Sequence, residues 1–142
     1  MKKYILILAT LFITQLAYSQ VALFVPIDDI IKENRKDDFL VENKLVDTEY
    51  GTVPQIIVIT ELLRMEYDFI EYLGTYRSIT TRLFPKTERM LEVMKEEYTL
   101  KYEKVSDTQW TDHSRPNMIS TAHIKTNKDG ETYFDWTFEF KN

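Results

Sequence analysis

The sequence predicts an α+β fold, with N-terminal helices packed on one face of a C-terminal antiparallel sheet of about four strands. Three observations predict it. Asn117–Phe140 reads as a hairpin with one apolar face. The residues before it, from Tyr98 onward, alternate with a period of two. Val53–Leu73 has helical periodicity between a capping signal and a glycine. Helical patterns followed by a run of strands are the order of segregated α+β domains.

The hairpin rests on turn chemistry. Asn127-Lys128-Asp129-Gly130 fits a type I turn whose glycine takes positive φ and makes a bulge. In that register Ile124 faces Phe134, Ala122 faces Trp136, Ser120 faces Phe138 and Met118 faces Phe140 on one side. The other side takes Thr121, His123, Lys125, Asp135, Thr137 and Glu139. A slip by one residue would mix the two sets, so the register is strongly specified.

The long helix rests on caps and spacing. Thr52 with Gln55 three residues on makes a capping box, and Pro54 falls in the first turn, where a missing N–H costs nothing. Gly74 suits the position just past the helix end. Glu61, Arg64, Asp68 and Glu71 recur as one polar stripe, and Ile56, Ile59, Leu62, Leu63, Phe69, Ile70 and Leu73 cover much of the rest. A helix this apolar is expected to be largely buried. A strand reading competes over Arg64–Phe69, which alternates polar and apolar. Leu62-Leu63 and Phe69-Ile70 break its phase on both sides, which favours helix.

The remaining elements follow in order. Val21–Ile27 is a short strand or a tether. Asp28–Lys36 forms a short helix with Ile30 and Ile31 inward and its charges as a solvated face. Phe39–Val46 is a strand, and Asp47–Gly51 a polar connection. Thr75–Phe84 reads as loop or a short extended piece. Lys86–Glu97 returns to helical spacing, with Met90, Leu91 and Met94 inside. Tyr98, Leu100 and Tyr102 then open a strand, Ser106-Asp107 turns the chain, and Thr108–His113 returns as a strand carrying Trp110. The sequence shows no internal repeat.

Residues 1–19 have the layout of a signal peptide: basic Met1-Lys2-Lys3, apolar Tyr4–Leu16, and small residues at Ala17 and Ser19. Cleavage after Ser19 leaves residues 20–142 as a single α+β domain, exported to a periplasm or secreted. The rival reading is an uncleaved N-terminal membrane anchor over Tyr4–Val25, interrupted by Gln15, Ser19 and Gln20. The chain is cysteine-free, so neither disulfides nor a thiol nucleophile enter. The formal charge of −5 argues against nucleic acid and against an anionic membrane surface once the signal is removed.

Catalytic signatures are scarce. The sequence has no Gly-x-Ser-x-Gly elbow, phosphate loop, dinucleotide fingerprint or His-Glu-x-x-His helix, so no cofactor and no metal are expected. His123 opposite Asp135 makes a candidate surface pair, either acid–base or an ordinary polar cross-strand pair. His113 lies near the Arg115–Asn117 turn, away from His123, and the two do not suggest zinc. On the expected long helix Glu66 falls opposite the polar stripe. There it would meet the sheet, with Tyr98 or Tyr102 as hydrogen-bond partners, making Glu66, Tyr98 and Tyr102 a candidate polar pocket. The function expected from this is an exported non-enzymatic module binding an unidentified small ligand or protein partner. The alternative is a small acid–base enzyme with its site between the long helix and the sheet.

Overall fold

The hairpin is part of a much larger sheet. The computed structural model describes residues 22–142; the segment expected to be a signal peptide, the expected cleavage site, and most of the alternative anchor lie outside them. The elements run α1 (Ile27–Lys36), β1 (Leu40–Thr48), β2 (Gly51–Ile59), β3 (Leu63–Tyr72), β4 (Thr75–Pro85), α2 (Glu88–Lys101), β5 (Glu103–Ser106), β6 (Gln109–Asp112), β7 (Met118–Thr126) and β8 (Thr132–Phe140). All eight strands form one antiparallel sheet in the order β1-β2-β3-β4-β8-β7-β6-β5. A helix followed by four meandering strands therefore occurs twice. The two halves join where β4 pairs with β8, Arg82 opposite Asp135 and Leu83 opposite Phe134.

This corrects the expected fold class, in which helices preceded a sheet of about four strands. Half of the sheet is built from residues read as helix, loop or isolated strand. Val53–Leu73 is the end of β2, a turn, and β3. The turn is made by Thr60: its N–H donates to the Leu63 carbonyl at 2.9 Å, and its hydroxyl oxygen accepts from the N–H groups of Leu62 and Leu63 at 3.3 and 3.0 Å. Gly74 ends no helix. It forms with Leu73 a two-residue hairpin turn between Tyr72 and Thr75, with φ of 50° at Leu73 and 78° at Gly74, as a type I′ turn requires.

The misleading signal has a physical origin. Along β2, every residue from Val53 to Val58 is buried, so the strand shows an apolar run, broken only by Gln55, that periodicity cannot distinguish from a buried helix. Ile56 and Val58 face the helices, while Ile57 lies on the other face between Glu42 and Glu66 of the flanking strands, whose long side chains flank it. β3 does alternate: Leu63, Met65, Tyr67 and Phe69 are buried between partly exposed Arg64, Glu66, Asp68 and Ile70. The β-branched run Ile56-Ile57-Val58-Ile59 suits a strand, since such side chains are stiff at χ1.

Thr75–Phe84 is the β4 strand, and the expected strand Phe39–Val46 joins the sheet as its edge β1. α2 continues through the residues read as a strand: Tyr98 is fully buried on it beside Met90 and Met94. Its N-cap Thr87 accepts from the Met90 N–H at 3.1 Å, offsetting one of the unpaired donors of the first turn.

Both helices lie on one face of the sheet. Between helices and sheet is a core of Ile30, Ile56, Val58, Met65, Tyr67, Phe69, Leu83, Met90, Met94, Tyr98, Trp110, Phe134 and Trp136. Residues 22–26 close it at one end. Phe24 donates to the Ser78 carbonyl at 2.7 Å and Ser78 donates to the Val25 carbonyl at 3.0 Å. Ser78 and Thr81 hydroxyls also donate to the Ala22 carbonyl. β4 is irregular here, its register with β3 shifting next to Phe69–Ser78, and the buried serine is satisfied by this strap.

Candidate functional site

The residues singled out from the sequence are distributed over both faces of the sheet. Tyr98 and Tyr102 belong to the helix side. Tyr98 packs edge-on against Tyr102, Trp110, Phe134 and Trp136, at centroid distances of 4.8–5.8 Å. Its hydroxyl accepts from Trp136 Nε1 at 3.0 Å. Burial pushes the Tyr98 phenol well above its ordinary pKa, and burial does the same at Tyr102, with Asp112 adding to it. These phenols are structural handles inside an aromatic core, held neutral.

Glu66 stands on the opposite face, because β3 turns Met65 and Tyr67 into the core and its even-numbered residues away from it. It does not meet Tyr98 or Tyr102. Its carboxylate lies 3.8 Å from Arg82 Nε, inside a band of charge across the strands. Arg82 donates to both oxygens of Asp68, at 2.5 and 2.8 Å, and Gln55 Nε2 donates to Asp68 at 2.8 Å. Burial by itself would raise the Asp68 carboxyl, but the hydrogen bonds from Arg82 and Gln55 and the charges of Arg82 and Lys44 outweigh it and hold it below the usual range.

The same band contains His123 and Asp135, directly opposite each other in the β7–β8 register. The sequence register is met in full, from Met118–Phe140 to Ile124–Phe134. Asp135, however, takes Lys125 as its partner, Nζ to Oδ2 at 2.5 Å, and is buried. Its other oxygen, Oδ1, has no hydrogen-bond partner among the described residues. The neighbouring row continues the pattern with Arg64. Its guanidinium grips Glu131 at 2.8 and 3.1 Å and lies 4.0 Å over the Phe84 ring, which stacks on Tyr133. Here carboxylates and cations answer one another, an arrangement that pins strands together. His113 lies elsewhere, 2.9 Å from Glu103. Among the described residues no group of three or more acidic or histidine side chains converges as a metal site would.

Open space lies beside both helices. Beside α2 is a shallow groove lined by Glu92, Lys95, Glu96, Thr99, Lys104 and Asp107. Two of its lysines are already taken, Lys95 by Glu92 and Lys104 by Asp107. Beside α1 is a cavity of about 430 Å³. Its floor is apolar, made of Ala22, Val25, Ile30 and the ring of Tyr67, and its rim carries Asp29, Glu33 and Asp37 with Asn34. Asp29 and Glu33 are four residues apart on α1 and stand one above the other, and Asp37 follows at the C-cap just past the helix. Among the described residues none is in an ion pair. Like charges at this spacing destabilise a helix. Tyr67 is fully buried, which keeps its phenol protonated well above the ordinary value against a hydrogen bond with Asn34.

Comparison with protein-family models, with curated proteins and with solved structures returned no match to this chain. The cavity residues were missed in the sequence because Asp28–Lys36 reads as an ordinary solvated face. The signal present was the spacing of Asp29, Glu33 and Asp37 next to Ile30. What the sequence did not contain was Tyr67 as the wall, since that residue arrives from β3.

Proposed function

We propose that this chain is an exported, non-catalytic binding module whose α1 cavity takes an amphiphilic cation: an ammonium or guanidinium group on a short apolar body, free or as a side chain of a protein partner. The observation that carries this reading is the pairing of an apolar floor with three carboxylates that have no cationic partner among the described residues. Ligand sites are concave and largely apolar, with a few polar groups that select orientation, and this volume falls in their usual range. A cation on the rim would relieve the repulsion along α1, while its stem displaces water from Val25, Ile30 and Tyr67.

The acid–base alternative has less behind it. Glu66 is next to Arg82 on the far face, and the Tyr98 hydroxyl is spent on Trp136. The net negative charge agrees with a cationic partner through long-range attraction.

The test uses the exported protein with n-hexylammonium as probe, and hexanol and hexanoate as controls, followed by calorimetry and NMR. Hexylammonium is expected to bind with shifts confined to α1 and Tyr67, hexanol more weakly, and hexanoate not at all. Glu33→Gln should weaken hexylammonium about fivefold, the worth of one partly solvated charge pair. Equal binding of all three probes, or none, overturns the proposal.

A further inference from the structure

The sheet has two edges among the described residues, β1 and β5, and they are built differently. β5 is a strand of 4 residues, Glu103–Ser106. A short, charged edge strand is a common protection against pairing with another chain. β1 is 9 residues long, as long as β2, β7 and β8 inside the sheet, and pairs along its whole length with β2 on one side only among the described residues. Leu40 and Leu45 are 57% and 71% exposed on it. Its outward N–H and C=O groups are a template for a further strand.

The side chains of β1 are complementary to themselves. Rotating a copy about a two-fold axis perpendicular to the sheet and passing beside Asn43 places Glu42 opposite Lys44 of the partner copy, and Lys44 opposite its Glu42. On that same face Leu40 meets Val46. On the helix face Val41 meets Leu45, the most exposed apolar side chain of the strand, and Asn43 meets its own copy. Opposite charges facing across an antiparallel pair are favourable and like charges are not. The neighbouring symmetric registers oppose Lys44 to Lys44 or Glu42 to Glu42. Charge and apolar contact therefore select one register, and a two-fold axis is the commonest symmetry of protein pairs.

We propose that β1 is a homodimerisation edge, through which two copies pair antiparallel along Leu40–Val46 and join their sheets into one. The interface is small, at the transient end of specific interfaces, so the dimer is concentration-dependent. It does not involve the α1 cavity and stands or falls separately from it.

The test is sedimentation equilibrium of the exported protein and three variants. The parent chain is expected to dimerise reversibly. Glu42→Lys and Lys44→Glu each create two like-charge pairs across the axis and should raise the dissociation constant about tenfold or more. The double variant E42K/K44E restores opposite charges in the same register and should return it to within about threefold of the parent. Glu42 and Lys44 are exposed, so circular dichroism spectra should agree among all four chains, while the variants that reverse Lys44 lose its favourable charge near Asp68 and should show a slightly lower thermal midpoint. A parent that stays monomeric at about 1 mM, single variants that dimerise as well as the parent, or a double variant that stays as weak as the singles overturns the proposal.

Discussion

β1–β4 with α1 and β5–β8 with α2 run through the same order of elements and meet antiparallel at β4 and β8, yet their interiors differ in chemistry. In the second half the inner face is aromatic: Tyr98 packs edge to face on Trp110, Phe134 and Trp136, the Trp136 indole donates to the Tyr98 hydroxyl, and the Trp110 indole donates to Thr99 on the helix that carries Tyr98. In the first half the inner face is aliphatic along β2 and mixed along β3, where the rings of Tyr67 and Phe69 follow Leu63 and Met65. It turns polar at β4, where Ser78 and Thr81 are buried and bonded to the strap at Ala22. The second half holds itself together through rings supplied by its own elements, α2, β6 and β8. The first depends on a segment more than a strand length away and on the charge band around Arg82.

That contrast can be broken most forcefully in the aromatic half. Trp136→Ala removes a buried ring and the donor to Tyr98, and should cost about 3–5 kcal/mol in urea unfolding. Tryptophan fluorescence and far-ultraviolet circular dichroism should still report one transition, because a single sheet spans both halves. Separate transitions would mean that β4 and β8 do not couple them.

Arg82→Met comes next. It leaves Asp68 and Glu66 without their guanidinium on a partly buried surface, where breaking a pair costs more than the pair itself contributed. With Arg82 and Asp68 side chains 22% and 27% exposed, solvent screening reduces the loss to about 2 kcal/mol. Arg64→Met, at the more exposed pair with Glu131, should cost less, about 1 kcal/mol at most. If the two cost the same, the band is surface decoration rather than a strand clamp.

Acid should weaken the charge band that the first half depends on. The Asp68 carboxyl is held below its unfolded value, so its contribution is present above about pH 4 and is lost as pH falls through the lowered native value. The denaturant midpoint of the parent should decline in that window, and Asp68→Asn should flatten the decline. An unchanged slope would remove Asp68 as the linked group.

The smallest effects compare the two hairpin turns. Gly130 and Gly74 have φ of 80° and 78°, with nothing within 4 Å of a built Cβ at either, so alanine meets conformational strain alone. Each substitution should cost about 1 kcal/mol. Leu73, at φ 50° and 88% exposed, should give back about 0.5 kcal/mol on replacement by asparagine, which tolerates that conformation better. A loss there would show that its side chain has a partner in solution.

What the sequence determined by itself was the β7–β8 hairpin, its register to the residue, and α1 and the start of α2. Each is decided by neighbours along the chain: a glycine that alone suits the bulge, alternation with one face buried, the helical spacing of Met90, Leu91 and Met94. Only the tertiary structure decided that Val53–Leu73 is two strands. Burial of β2 on both faces is conferred by β1, β3 and the helices, and it erases the alternation that would have identified a strand. The same distant partners turned Glu66 away from Tyr98 and toward Arg82, and brought Tyr67 beneath Asp29 and Glu33. A local pattern records which residues want burial; which face they are buried on depends on strands that arrive later in the chain.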